Sequence, residues 1–92
     1  MHHFEYRDGV LFAEEVSVTK LAENYGTPLY IYSAATFRRH FKAFDTAFDG
    51  LDHLTCFSVK ANSNLSVLRM LAEEGAGMDI VSGGELYRAL KA

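Results

Sequence analysis

The chain has 92 residues, a net charge of −3 and 49% hydrophobic residues, which suits a small folded domain with a modest core and excludes a disordered composition. It carries no basic block or acidic tail, so it offers no nucleic-acid footprint. Its single cysteine, Cys56, excludes a disulfide framework and the usual zinc clusters.

A lone free thiol fits a reducing compartment. The opening MHHFEYRDG lacks the basic-then-apolar layout of a signal peptide. No apolar run approaches the roughly 20 residues of a membrane span. The expectation is a soluble cytoplasmic protein. His2 and His3 read as terminal surface residues rather than as metal ligands.

In chain order, VLFA (residues 10–13) reads as a short strand. Ser17 is placed to cap a helix running through Tyr25, with Gly26 as its left-handed stop. Thr27-Pro28 restarts the chain in extended form, and LYIY (residues 29–32) has the β-rich composition of a strand. Ser33 is a good cap for a helix reaching about Phe48 and closed by Gly50. Within it Phe37, Phe41, Phe44 and Phe48 recur at helical spacing and form one apolar stripe, read as core. Arg38, Arg39, His40 and Lys42 then fall on the wet side.

Residues 54–60 read as the next strand, ending at Lys60. Asn64 is placed to cap a helix from Leu65 to about Glu74, with Gly75 ending it. MDIVS (residues 78–82) reads as another strand. Ser82-Gly83-Gly84-Glu85 has capping-box spacing and opens a final helix. That helix meets the end of the chain with no stop signal, so the chain reads as the first part of something longer. From Leu29 onward the order is strand, helix, strand, helix, strand, helix, which argues for parallel β/α units. A closed barrel needs eight such units and roughly 250 residues.

Strand side chains alternate between faces. Leu54, Cys56, Ser58 and Lys60 share one face, and Thr55, Phe57 and Val59 the other. In the following strand Gly77, Asp79 and Val81 oppose Met78 and Ile80. With the large apolar faces against helices, Lys60 and Asp79 point the same way from consecutive strand ends, where α/β sites are built. A lysine after a strand ordinarily carries its head group to water. The alternative is a nucleophilic amine, which needs desolvation to favour its uncharged form and then makes a Schiff base with a carbonyl. Asn62 and Asn64 add hydrogen bonds there without adding charge. Asp79 is either a strand-end aspartate bonded to backbone amides or an anion beside that amine. Glu85 is the capping-box residue, with a second role open. Gly83-Gly84 reads as a helix start in preference to a phosphate cradle. Cys56 and Ser58 have no base beside them and read as small packing residues, with Ser58 placed to touch a ligand.

The stretch FSVKANSNLSVLRMLAEEGAGMDIVSGGELYRALKA, with the upstream YGTPLYIYS, resembles the bacterial diaminopimelate decarboxylases. These are pyridoxal-phosphate enzymes of the alanine-racemase-like fold type, related to ornithine and arginine decarboxylases. The likeness covers residues 9–92 but only the N-terminal part of the family's length. VKAN, GxGxD and SGGEL occur in order and at family-like separations. The resemblance implies an α/β fold: the N-terminal portion of a PLP-binding (β/α)8 barrel, about three β/α units, preceded by a short segment belonging to a β-rich domain. Residues 1–32 would contribute to that β-rich domain, and residues 33–92 would begin the barrel.

The resemblance also implies pyridoxal 5′-phosphate as cofactor and no metal. Lys60 would bind the cofactor covalently and act in catalysis. Asp79 would sit beside it, Ser58 would be the small residue under its ring, and Glu85 would lie near it. Phe57-Ser58 stands where many relatives have Tyr-Ala. The implied reaction is decarboxylation of meso-diaminopimelate to L-lysine, by a homodimer acting on a small-molecule substrate without nucleic acid or membrane. A related decarboxylase of arginine, ornithine or carboxynorspermidine is the alternative within this class, and a non-catalytic binding protein of the same fold is the alternative outside it. The family's remaining cofactor and substrate ligands fall beyond Ala92. The 92-residue chain alone is therefore expected to be inactive, and marginally stable or prone to aggregate.

Overall fold

The computed structural model describes residues 2–92. They divide into two compact units, one ending at Thr36 and one spanning Phe37–Ala92.

The first unit is built on an antiparallel sheet of β1 (Phe4–Arg7), β2 (Val10–Ala13) and β3 (Val16–Ser17), in that order. β2 is the strand expected from VLFA. β1 was not anticipated. Its turn onto β2 is Asp8-Gly9, both at positive φ (50° and 80°), the conformation a two-residue hairpin loop demands and this dipeptide tolerates. The hairpin is braced by Arg7, which pairs with Glu5 at 2.7 Å and Glu15 at 2.9 Å and lies over the Phe12 ring at 4.9 Å. The bonds to Glu15 and then Glu5 push the guanidinium above its ordinary pKa, and Arg7 in turn holds the Glu15 carboxyl below its own. Helix α1 (Val18–Tyr25) starts as expected, with Ser17 Oγ accepting from Lys20 N–H at 3.3 Å, and stops at Gly26, where φ is 80°. Residues 29–32 do not form the expected strand and join neither sheet. Composition favours extension there, but a strand also needs a neighbour to complete its ladder.

The division between units falls in the first turn of helix α2 (Ala34–Thr46). Ser33 caps it, its Oγ accepting from Thr36 N–H at 3.1 Å. The helix ends two residues before the expected Phe48. Residues 47–51 continue as tight i→i+3 turns, such as Leu51 N–H to Phe48 O at 3.1 Å, with Gly50 among them at φ 89°. The phenylalanine stripe is not core. Phe37 and Phe41 are half-buried, while Phe44 is 59% and Phe48 39% exposed. Phe44 and Phe48 rest on each other instead, their ring centroids 5.3 Å apart. The wet side of α2 is as expected: Arg38, Arg39, His40 and Lys42 are all exposed, and Arg38 and Lys42 reach Glu74 at 3.1 and 3.3 Å.

The second unit's buried apolar residues come from one turn and one helix. They are Val59, on a short 3₁₀ turn (Val59–Ala61), and Val67, Leu68, Met70 and Leu71 on α3 (Leu65–Glu73). The α3 positions recur at helical spacing and form one buried stripe. Leu68 has no exposed surface, so its burial is worth about 1.5–3 kcal/mol. Asn64 caps α3, accepting from Ser66 N–H at 2.9 Å, and Gly75 follows the helix at φ 100°. Strands β4 (Cys56–Ser58) and β5 (Gly77–Asp79) pair in parallel, with Cys56 opposite Gly77 and Ser58 opposite Asp79. Helix α4 (Gly83–Lys91) follows. The parallel β/α alternation therefore holds, with two paired strands in place of the three expected. Both strands are shorter than read, because each ladder ends where its partner does.

Candidate active site

The C-terminal ends of β4 and β5 gather the chemistry-bearing residues. In-register parallel pairing sets Ser58 beside Asp79 on one face of the sheet. The Ser58 hydroxyl donates to Asp79 Oδ2 at 2.9 Å. Asp79 is exposed and Ser58 half-buried. The carboxylate thus takes its donor from a side chain across the ladder, not from the backbone amides considered for it. Gly77, one step back on the same face of β5, lies against Cys56, and a Cβ built on it would sit 2.8 Å from Cys56 Sγ. A larger residue there would force the Cys56 side chain or the strand to shift.

Lys60 is not on the strand. The ladder stops at Ser58 and the backbone tightens into the 3₁₀ turn, closed by Asn62 N–H to Val59 O at 3.1 Å. The turn buries Val59 completely and leaves Lys60 exposed. Desolvation of the amine, which the nucleophilic reading needs, is therefore not supplied by these residues. Lys60 follows the end of β4 and Asp79 ends β5, but they form no ion pair with each other or with any other described residue.

The backbone after Lys60 is held by side chains. Asn62 Oδ1 accepts from Asn64 N–H at 3.0 Å, and Arg88 of α4 donates through Nε to Ser63 O at 2.9 Å. Ser82 caps α4, its Oγ accepting from Glu85 N–H at 3.1 Å. Glu85 completes the box one residue earlier than the usual pattern, its Oε1 accepting from Val81 N–H at 3.1 Å. Gly83 and Gly84 lie at this helix start, the reading preferred for them. Glu85 is thereby turned toward the chain entering α4.

Cys56 is exposed. It lines a shallow pocket of about 180 Å³ with His53, Thr55, Leu54, Phe44 and Phe48. His53 is no base for it. One ring nitrogen meets Leu51 O at 2.9 Å and the other Asp45 Oδ1 at 3.0 Å. Both partners are acceptors, so the doubly protonated ring satisfies both contacts, and the Leu51 carbonyl followed by Asp45 raises the His53 pKa. Asp45 is held below its ordinary value, chiefly by the Thr55 hydroxyl at 2.7 Å. Sequence reading missed this Asp45–His53–Thr55 cluster, because its members come from a helix, a turn and a strand edge with no common period. Among the described residues no three His, Cys, Asp or Glu side chains converge as a metal site.

A family model described as pyridoxal-dependent decarboxylase, pyridoxal binding domain, matches residues 34–92. The chain belongs to this family. Pyridoxal phosphate is the cofactor of these pyridoxal-dependent decarboxylases. A curated diaminopimelate decarboxylase of Pseudomonas fluorescens is 55% identical over 92 residues, covering 100% of this chain and 22% of its own length. A crystal structure from Aquifex aeolicus superposes with a TM-score of 0.91 at 53% identity, over 97% of this chain and 22% of that one. A diaminopimelate decarboxylase from M. jannaschii, solved in complex with L-lysine, gives 0.84 at 35% identity, over 96% and 22%. The chain thus spans about a fifth of the length of the relatives it matches.

The residues present fit such a cofactor by their donor chemistry. Lys60 offers a primary amine that no described carboxylate ties up, and Asp79 offers a carboxylate with Oδ2 anchored and Oδ1 without a hydrogen bond. An amine and an anion on neighbouring strand ends suit a group bearing both a carbonyl and a protonatable ring.

Proposed function

We propose that the full-length protein is a pyridoxal-phosphate-dependent decarboxylase that converts meso-diaminopimelate to L-lysine. The observation that carries this is Lys60 on the turn that follows β4, with Asp79 at the C-terminal end of the neighbouring β5, in a chain whose relatives at 53–56% identity are named diaminopimelate decarboxylases. The same reading divides the chain into residues 1–32, contributing to a β-rich domain, and residues 33–92, beginning a (β/α)8 barrel. It takes the working form to be a cytoplasmic homodimer. Among the described residues no helix is long and apolar enough to cross a membrane.

Lys60 would hold the cofactor through Nζ and serve as the catalytic amine. Asp79 would place a fixed negative charge beside the group's cationic part. Ser58, small and half-buried, leaves room for a flat ring, and Glu85 stabilises the helix start near it. Pyridoxal phosphate supplies the electron sink for the pair left behind when carbon dioxide departs. What these residues contribute is placement and electrostatics. The exposed Lys60 amine would gain its desolvation from chain outside these residues, so the 92-residue chain alone is expected to release no carbon dioxide from diaminopimelate.

The test is to load the full-length protein with pyridoxal phosphate, reduce with borohydride and map the labelled peptide. Label on Lys60 is expected, and label on another lysine would overturn the assignment. Carbon dioxide release is then compared among diaminopimelate, arginine, ornithine and carboxynorspermidine. Preference for any but the first would reassign the substrate, and no release from any would favour a non-catalytic binding protein.

A further inference from the structure

The Ser58 hydroxyl has a role distinct from leaving space for a ring. Asp79 is exposed, and nothing in its own strand restrains its carboxylate. Its one hydrogen bond among the described residues comes from Ser58, at 2.9 Å across a parallel ladder that sets the two residues in register. An ionised carboxylate only accepts, so the hydroxyl must donate. The bond takes Oδ2 and leaves Oδ1 unbonded.

The neighbouring charged groups do not compete for that oxygen. Glu85 of α4 is engaged by Val81 N–H, Arg88 of α4 by Ser63 O, and Lys60 on the turn after β4 makes no ion pair. Cys56, the next residue on this face of β4, packs its sulfur toward Gly77.

We propose that Ser58 is a positioning residue, whose hydroxyl fixes the Asp79 carboxylate by one oxygen and presents the other to the cationic part of the group held at Lys60. The inference rests on the reading of Lys60 and Asp79 as the cofactor site.

The experiment measures pyridoxal phosphate binding to the full-length protein by fluorescence quenching at neutral pH, in wild type, Ser58→Ala, Ser58→Thr, Asp79→Asn and the double variant Ser58→Ala/Asp79→Asn. Asp79→Asn is expected to weaken binding. Ser58→Ala is expected to weaken binding about five- to tenfold. Ser58→Thr, which keeps the hydroxyl and suits a strand, should restore it, and the double variant should match Asp79→Asn alone. Ser58→Ala binding equal to wild type would overturn the proposal. So would a Ser58→Ala loss that adds in full on top of Asp79→Asn, because the hydroxyl would then act independently of the carboxylate. If Asp79→Asn leaves binding unchanged, the reading of the site itself fails. If Asp79→Asn weakens binding and Ser58→Ala does not, only the positioning role falls.

Discussion

Replacing Gly77 with alanine tests the packing beneath the site. The new methyl would lie 2.8 Å from Cys56 Sγ and 3.2 Å from Leu54 Cδ2. Ordinary contact with sulfur begins well beyond that, so the thiol must retreat by roughly half an ångström or the strands must part. Overpacking of this kind costs about 1–3 kcal/mol, against a gain of about 0.5–1 kcal/mol from replacing a strand glycine. The net expectation is a loss of about 1–2 kcal/mol. Removing the sulfur should remove most of the clash. In a Cys56→Ala background, Gly77→Ala should be close to neutral, leaving a coupling of about 1–2 kcal/mol between positions that face each other across the ladder. The assay is the urea midpoint of the full-length protein in all four members of the cycle, followed by tryptophan-independent far-UV dichroism. Equal losses in both backgrounds would show that the Cys56–Gly77 contact is not what requires glycine.

The His53–Asp45 pair should give stability a characteristic pH dependence. The His53 pKa is raised above 6.5 and the Asp45 pKa lowered below 3.8, so the histidine's contribution is complete below 6.5 and is lost as pH rises through its folded value. The aspartate's contribution is complete above 3.8 and is lost on acidification. The wild-type advantage over His53→Gln, read from urea midpoints, should therefore shrink from pH 6 to pH 9, and an advantage that grew with pH would contradict the contacts. Asn64→Ala should cost about 0.5–2 kcal/mol by removing the α3 cap, with Asn64→Asp recovering most of it in the same assay. Leu68→Ala, at a position with no exposed surface, should cost about 2–5 kcal/mol in thermal or urea unfolding, and a loss below 1 kcal/mol would mean that α3 does not carry the core.

Local structure is legible in the sequence where one side chain decides it. Ser17, Ser33, Asn64 and Ser82 each accept a bond from a backbone amide of the first turn they open. This chemistry acts over three residues and needs no distant partner. Asp8-Gly9 was an equally local signal for a hairpin and was overlooked. Lys60, Asp79, Ser58 and Glu85 were singled out from alternation and motif, and Ser58 and Asp79 do lie side by side.

Other features were decided in three dimensions. Residues 29–32 have strand composition and no ladder, since pairing depends on a neighbour that composition does not provide. The phenylalanines of α2 share a helical stripe, yet burial went to Val59 and the apolar face of α3, because periodicity names a face and not what covers it. Lys60 left its strand for a turn when the ladder ended at Ser58, which exchanged an inward position for an exposed one. The sequence by itself therefore determined where helices begin and that the strands between them run parallel. Tertiary structure decided which carboxylate oxygen is anchored, which glycine must stay bare and which apolar faces are covered. Those outcomes depend on atoms far apart in the chain arriving within a few ångströms of one another.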